Sequence, residues 1–200
     1  MRRGILLTLF FSITLALTGC ATPSHDNDQS WYFSVVAPQH YKVWVEHLEF
    51  EKSGTRHWRM PMGNVECCWK GPNGPLGTGG RMSPFPNIIG IQWFSFAEQK
   101  FYQRLIELPE NLPDLMRRKV EEKTSTGTSM GPRDQLVIGL APGGEVVLWI
   151  MNQPGSEIEV ARMQANPIKG DASWYKTRTQ SYLKENDDYL KKHGIPTTGW

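Results

Sequence analysis

The sequence has almost no charge imbalance. Its 200 residues carry 22 basic and 20 acidic side chains, a formal net charge of +2. Arg2 and Arg3 lie in the first 19 residues, which contain no acidic side chain, so the rest of the chain has 20 charges of each sign. This balance excludes a nucleic-acid binder built on clustered Lys and Arg, a polybasic membrane-surface protein and an acidic disordered chain.

Long hydrophobic runs are also missing. The apolar run at residues 4–17 has about 14 residues, too few to span a bilayer core of about 30 Å. It follows Arg2 and Arg3 and ends in Thr18-Gly19-Cys20, which is the layout of a secretory signal. Residues 17–20 (LTGC) resemble the bacterial lipobox, so we expect residues 1–19 to be a signal peptide and Cys20 to carry lipid, including palmitate.

A lipidated Cys20 predicts where the protein resides. Each buried methylene contributes about 0.8 kcal/mol, so a multiply acylated cysteine anchors a protein to the membrane. Ala21 takes the place where Asp retains enteric lipoproteins in the inner membrane, which indicates an outer-membrane lipoprotein facing the periplasm of a Gram-negative cell. Residues 20–30 form the anchor and a polar tether, and residues 31–200 are predicted to be one periplasmic domain.

Cysteine is scarce, with three in the chain. Besides Cys20 there are only the adjacent Cys67 and Cys68, which an oxidising periplasm leaves either as a disulfide or as free thiols. They lack the C-x-x-C spacing of metal and redox sites. We expect no cofactor and no metal.

Strand signals dominate the rest of the chain. Period-two or continuous apolar segments bounded by turn residues predict strands, and a slip in the period near Glu46-His47 predicts a bulge. The predicted strands are residues 31–37, 41–50, 87–96, 136–141, 145–151 and 158–163, with 31–37 and 41–50 expected to pair and 136–141 and 145–151 expected to form a hairpin on Pro142-Gly143-Gly144.

Helical signals are few. Helices are predicted near 112–122 and 172–193, residues 98–108 fit a helix or a strand, and 124–132 read as a polar loop. The predicted fold is a β-rich α+β single domain of antiparallel, sandwich-like sheets with a C-terminal helix.

No motif supports catalysis. Gly127-Thr-Ser129-Met-Gly131 matches G-x-S-x-G, but a nucleophile elbow needs a buried strand before it and a helix after it, and neither is predicted here. His40, His47 and His57 lack the spacing of metal ligands, with or without Glu46. We therefore expect a protein that is not an enzyme.

Tryptophan is abundant, with eight residues. Those inside predicted strands are expected to fill the core. Trp58, Trp69 and Trp200 lie in or beside predicted loops and are the candidates for an interface with a partner.

Three blocks of this sequence resemble, in the same order, domain-of-unknown-function family 2931 of Gram-negative lipoproteins. The blocks are residues 36–46 (VAPQHYKVWVE), 91–102 (IQWFSFAE followed by KFY) and 138–149 (IGLAPGGEVVLW). The resemblance covers roughly residues 31–168, implies no catalytic residue and favours a strand at 98–108. It extends more loosely to immunity proteins that neutralise phospholipase effectors of type VI secretion.

The expected function is binding. The chain is predicted to be a non-catalytic, membrane-anchored envelope lipoprotein that binds a protein partner, as an immunity or inhibitor protein against a secreted phospholipase effector would. The alternative is a structural or glycan-binding lipoprotein of the envelope. No nucleic-acid partner is expected.

Overall fold

The structure, a computed structural model, describes residues 30–60, 63–70 and 82–200. The predicted signal peptide, Cys20 and the tether up to residue 29 lie outside the described residues. The strands within the described ranges are, in chain order, β1 (Tyr32–Val36), β2 (Val43–Lys52), β3 (Arg56–Met60), β4 (Asn64–Val65), β5 (Ile88–Ser95), β6 (Lys100–Glu107), β7 (Lys119–Thr124), β8 (Gly127–Pro132), β9 (Gln135–Ala141), β10 (Glu145–Met151), β11 (Ile158–Gln164) and β12 (Asn166–Ile168). The helices there are α1 (Leu112–Arg117), α2 (Lys176–His193) and the 3-10 turns Pro142–Gly144 and Ala172–Tyr175.

Two sheets face each other across the main core. A four-stranded sheet has the order β1-β9-β10-β11, and a six-stranded sheet has the order β12-β6-β5-β2-β3 with β4 also paired to β2. Alternate apolar residues of each sheet point inward, as sandwich packing requires. The largest fully buried side chains between the sheets include Trp31, Phe33, Phe50, Trp93, Leu48, Ile89 and Leu136. The predicted β-rich single domain is confirmed.

The hairpin predicted around Pro142-Gly143-Gly144 is confirmed as β9 and β10. Gly143 has φ +82°, and a Cβ there would lie 2.3 Å from the carbonyl oxygen of Thr197, so the turn needs glycine.

Strands β1 and β2 do not pair, so that prediction is wrong. β1 runs parallel to β9, with Tyr32 opposite Gln135, while β2 lies in the other sheet beside β5. The turn after Pro38, in which His40 has φ +71°, takes the chain from one sheet to the other. The β1–β9 pair is also parallel, whereas only antiparallel pairing was expected.

The bulge predicted near Glu46-His47 is confirmed. Val45 lies opposite Trp93 and His47 opposite Gln92, so Glu46 is the extra residue of β2. Val45 and Leu48 both stay in the core, because the bulge absorbs the change of period between them.

The segment that fitted either a helix or a strand is strand β6, paired in register with β5 from Lys100 to Glu107. Its hydrophobic period was ambiguous because apolar residues occur at the spacing of a helix face and also at the spacing of a strand face. The free edge of β5 decides the outcome, since pairing there satisfies the backbone groups of both strands.

The helix predicted near 112–122 is correct only in its first half. α1 ends at Arg117, Arg118 is extended (ψ 123°), and β7 and β8 form a two-stranded ribbon where more helix and a polar loop were expected. Ser129 lies in the middle of β8 opposite Glu122. An extended strand on both sides of Ser129 is not a nucleophile elbow.

The predicted C-terminal helix is confirmed, with a 3-10 turn over Ala172–Tyr175 leading into α2. It covers part of the outer face of the six-stranded sheet. Tyr175 and Tyr182 pack there on Phe94, Phe96 and Phe101. None of the described helices combines the length and the apolar character needed to cross a membrane.

Candidate functional site

Trp174 is the most exposed large apolar side chain among the described residues, with 80% of its surface open to solvent. Its backbone is nonetheless held firmly. The Asp171 carboxylate accepts a hydrogen bond from the Ser173 N–H at 2.9 Å, and the adjacent Tyr175 is buried and stacks on Phe94 with 4.6 Å between ring centroids. The ring is therefore presented on a fixed backbone, which lowers the entropic cost of binding.

Glu46 follows the inward-facing Val45 in β2, so its side chain points to the outer face of the sheet and lines the same cleft as the Trp174 ring. The Gln92 Nε2 donates a hydrogen bond to one carboxylate oxygen at 2.5 Å, and the Tyr175 hydroxyl donates to the other at 2.5 Å. Burial, followed by the hydrogen bond to Glu46, raises the pKa of Tyr175, so its hydroxyl remains a proton donor at neutral pH.

A cleft of about 450 Å³ opens between Glu46 and Trp174. This volume lies within the range of sites that hold small ligands or single side chains. A Cβ on Gly170 would lie 2.5 Å from the ring of Phe101, so the backbone of Gly170 packs directly against that ring in the lining of the cleft. Its lining residues are Glu46, Gln92, Phe101, Lys169, Gly170, Asp171, Trp174 and Tyr175.

A second, smaller groove of about 290 Å³ continues from Gln92 across the uncovered part of the sheet. Gly90 in the central strand β5 leaves the space open, and the nearest atom to a Cβ there would be the Glu49 Cβ at 3.8 Å. Leu105 on β6 borders the groove with 65% of its surface exposed. We call Trp174, Leu105 and the two depressions that meet at Gln92 the Trp174 face.

The Trp174 face combines apolar and hydrogen-bonding groups. It offers an aromatic ring, an apolar side chain and acceptor oxygens of Glu46 and Asp171, which together suit stacking and hydrogen bonding. Within the described ranges, no group of three or more His, Cys, Asp or Glu is placed to hold a metal ion. His40, one of the histidines considered as a ligand, instead stacks on Tyr189 at 3.8 Å and bonds Asn186 at 2.9 Å.

Comparison with known proteins identifies the family. The profile of the family described as "Protein of unknown function (DUF2931)" matches residues 20–198. The chain belongs to this family. No curated protein and no solved structure matches the chain significantly.

The predicted interface tryptophans of this DUF2931 protein pack against its own side chains. Trp69 and Trp200 come together, with 6.0 Å between ring centroids, and Trp69 also meets Trp149 at 4.9 Å. Trp58 lies apart from them, stacked on Phe50 at 5.9 Å and packed against the core between the sheets. All three are only partly buried, and their contact with a partner remains a prediction.

Cys67 and Cys68 are joined to each other in a disulfide, the first of the two states expected for them. Their loop is held to the four-stranded sheet by a bridge between Ala37 and Cys68 and by the Ala37 N–H, which donates to the Cys67 carbonyl at 3.2 Å. The adjacent Trp69 covers the outer side of Gly139.

Trp174 was not among the residues singled out from the sequence. A signal for it existed, because its positions i+3, i+4 and i+7 are Thr177, Arg178 and Ser181, a polar helix face. A tryptophan on such a face, next to the inward Tyr175, has no core to fill. Glu46 was considered only as a metal ligand, and its pairing with Gln92 and Tyr175 depends on contacts distant in sequence.

Proposed function

We propose that the protein is a non-catalytic, lipid-anchored envelope protein that binds a protein partner through the Trp174 face. The observation that supports this is the exposure of Trp174 (80%) at a preformed cleft and of Leu105 (65%) at the groove that meets this cleft at Gln92. Tryptophan is enriched among the residues that dominate binding energy at protein interfaces, and exposed apolar surface with a polar rim marks such sites.

The partner we propose is a secreted phospholipase effector, which this protein would inhibit as an immunity protein. The proposal draws on the resemblance to immunity proteins and on the balanced charge of the chain, which suits contact with a protein rather than with nucleic acid. An inhibitor needs a rigid binding surface and no reacting groups, which agrees with the fixed backbone at Trp174.

Trp174→Ala should weaken binding to the secreted phospholipase effector proposed as the partner about 30-fold, equivalent to about 2 kcal/mol, because a central aromatic contact is lost. Isothermal titration calorimetry with the purified effector measures this. Met130→Ala is the matched control, since Met130 is 60% exposed but lies on the β7–β8 ribbon, and it should bind like the wild type. Equal affinity of the Trp174 variant and the wild type would contradict the proposal.

The anchor is tested separately. Cells fed radioactive palmitate should label the wild-type chain and leave Cys20→Ala unlabelled, because the thiol of Cys20 is the proposed attachment point. The unlabelled variant should also leave the outer-membrane fraction. Equal labelling of both chains would refute the lipid anchor and, with it, the proposed periplasm-facing location on the outer membrane.

A second candidate function is glycan binding, which the position of Trp174 beside the acceptor oxygens of Glu46 and Asp171 favours. Sugar rings stack on tryptophan while their hydroxyls donate to carboxylates. Titration with peptidoglycan or lipopolysaccharide fragments, followed by tryptophan fluorescence, tests this candidate. A flat response would count against it.

A further inference from the structure

Two tryptophans of this protein already carry an arginine on their ring face. The guanidinium of Arg178 lies 4.2 Å from the ring centroid of Trp44, and that of Arg56 lies 4.9 Å from the ring centroid of Trp58. Both rings are half-buried. Within the described residues no such cation covers Trp174, whose ring is 80% exposed.

The carboxylates beside Trp174 lack a cationic partner as well. Glu46 accepts hydrogen bonds from the neutral Gln92 and Tyr175. The ion pairs among the described residues involve neither Glu46 nor Asp171. Lys169 is the one basic residue that lines the cleft, together with the carboxylates of Glu46 and Asp171. Arg178, whose charge acts on Tyr175, lies over the Trp44 ring.

The Glu46 carboxylate is also held in one orientation, so its remaining acceptor positions point in fixed directions. A carboxylate has about four lone-pair positions, and Gln92 and Tyr175 occupy one on each oxygen. The two donors hold the carboxylate in one orientation on the wall of the cleft. An incoming cationic donor therefore meets an oriented acceptor instead of a mobile one.

We propose that this cleft is a receptor for an arginine side chain of the partner protein, whose guanidinium stacks on Trp174 and donates to Glu46. The proposal rests on the proposed protein-binding function and names the chemistry of the contact. Arginine fits better than lysine, because its planar fork both stacks on an aromatic ring and matches a carboxylate. The carboxylates of Glu46 and Asp171 supply the charge complementarity that selects a cation.

The test uses the full chain in detergent micelles, labelled with 5-fluorotryptophan so that each of the eight tryptophans gives a ¹⁹F resonance. Nα-acetyl-arginine amide is titrated in, with the neutral isostere Nα-acetyl-citrulline amide and N,N′-diacetylchitobiose as comparison probes. Trp174→Phe assigns the resonance of Trp174. We expect the arginine compound to shift that resonance saturably, with a dissociation constant in the millimolar range, and citrulline to shift it at least about tenfold more weakly.

Variants separate the proposed contact from nonspecific binding. Glu46→Gln keeps the shape of the side chain and should weaken the arginine response several-fold, whereas Glu51→Gln, on the same strand but outside the cleft, should leave it unchanged. An equal response to arginine and citrulline, or an unchanged response in Glu46→Gln, would overturn the proposal. A saturable chitobiose response stronger than that of arginine would overturn it in favour of a saccharide site.

The outcome is separable from that of the proposed function. If Trp174→Ala loses the effector but the arginine compound does not bind, the protein-binding function stands and the arginine receptor is wrong. If the arginine compound binds and effector affinity is independent of Trp174, the receptor chemistry stands and the choice of partner is wrong.

Discussion

Gly139→Ala is expected to lower the free energy of unfolding by about 2 kcal/mol, because an added methyl group overpacks a filled site. Gly139 lies in the central strand β9, and a Cβ there would approach Trp149 Cζ3 to 2.5 Å and Trp69 Cζ3 to 2.7 Å. Neither ring can yield easily. Trp149 is 2% exposed, and Trp69 is held between Trp149 and Trp200.

Thermal unfolding followed by circular dichroism measures this effect. A loss of about 2 kcal/mol corresponds to a fall in Tm of about 6 °C for a chain of this size. Gly139→Val, which adds more volume at the same point, should be worse still. Tryptophan fluorescence should also change, because the added methyl group displaces the indole rings of Trp149 and Trp69.

Gly90→Ala is the matched control, because Gly90 also lies inside a central strand, β5, at an ordinary backbone conformation. The nearest atom to a Cβ at Gly90 would be 3.8 Å away, an ordinary van der Waals contact. Alanine there should be neutral or stabilise by up to about 1 kcal/mol, as expected when a strand glycine gains a side chain without a clash. Equal destabilisation by the two alanines would contradict the close-packing argument.

Tyr175→Ala is the second substitution expected to have a large effect, a loss of about 4 kcal/mol, as is typical when a buried aromatic ring is removed. The ring stacks on Phe94 at 4.6 Å and touches Phe96 and Phe101, so it joins the start of α2 to the six-stranded sheet. Chemical denaturation measures the loss. Hydrogen exchange should show α2 opening more often than the hairpin β9–β10.

Tyr175→Phe separates the ring from the hydroxyl. It keeps the stacking and removes the hydrogen bond to Glu46, so the expected loss is about 1 kcal/mol. Trp174→Ala, one residue earlier, should change stability by no more than about 0.5 kcal/mol, because that side chain is exposed. If Tyr175→Ala cost no more than Tyr175→Phe, the proposed role of the ring in docking α2 would be wrong.

The pH dependence of this contact follows from the raised pKa of Tyr175. Because the folded-state pKa lies above the unfolded value of about 10, the hydroxyl contributes its full stabilisation below about pH 10 and loses it as the pH rises through the folded-state pKa. Over the neutral range the hydrogen bond to Glu46 is therefore insensitive to pH.

Much of the fold followed from local patterns. The hairpin β9–β10 was predictable because two apolar segments flank a Pro-Gly-Gly turn, and the bulge at Glu46 because the two-residue period slips there. The strands β7 and β8 were not predictable, because the charged and small residues of this segment have weak intrinsic preferences for secondary structure. The ribbon forms because the two strands pair with each other.

The candidate site was less accessible to sequence reasoning than the fold. Trp58, Trp69 and Trp200 stood out because they flank loops, yet Trp58 packs on Phe50 of the neighbouring strand, and Trp69 and Trp200 pack on each other across the fold. Trp174 was missed because it lies in a segment that reads as an ordinary amphipathic helix. Whether a tryptophan fills the core or faces solvent depends on whether another sheet or helix packs against its side of the strand or helix.

The sequence by itself determined the β-rich class, the C-terminal helix and the balanced charge of the residues after the first 19, and it predicts a lipid signal ending at Cys20. These depend on composition, short spacings and periodicity, which are local properties. Only the tertiary structure decided that β1 and β2 lie in different sheets and that Glu46, Gln92 and Trp174 meet in one cleft. Such contacts join residues up to about 130 positions apart, and they form only when two sheets and a helix bury their apolar faces together.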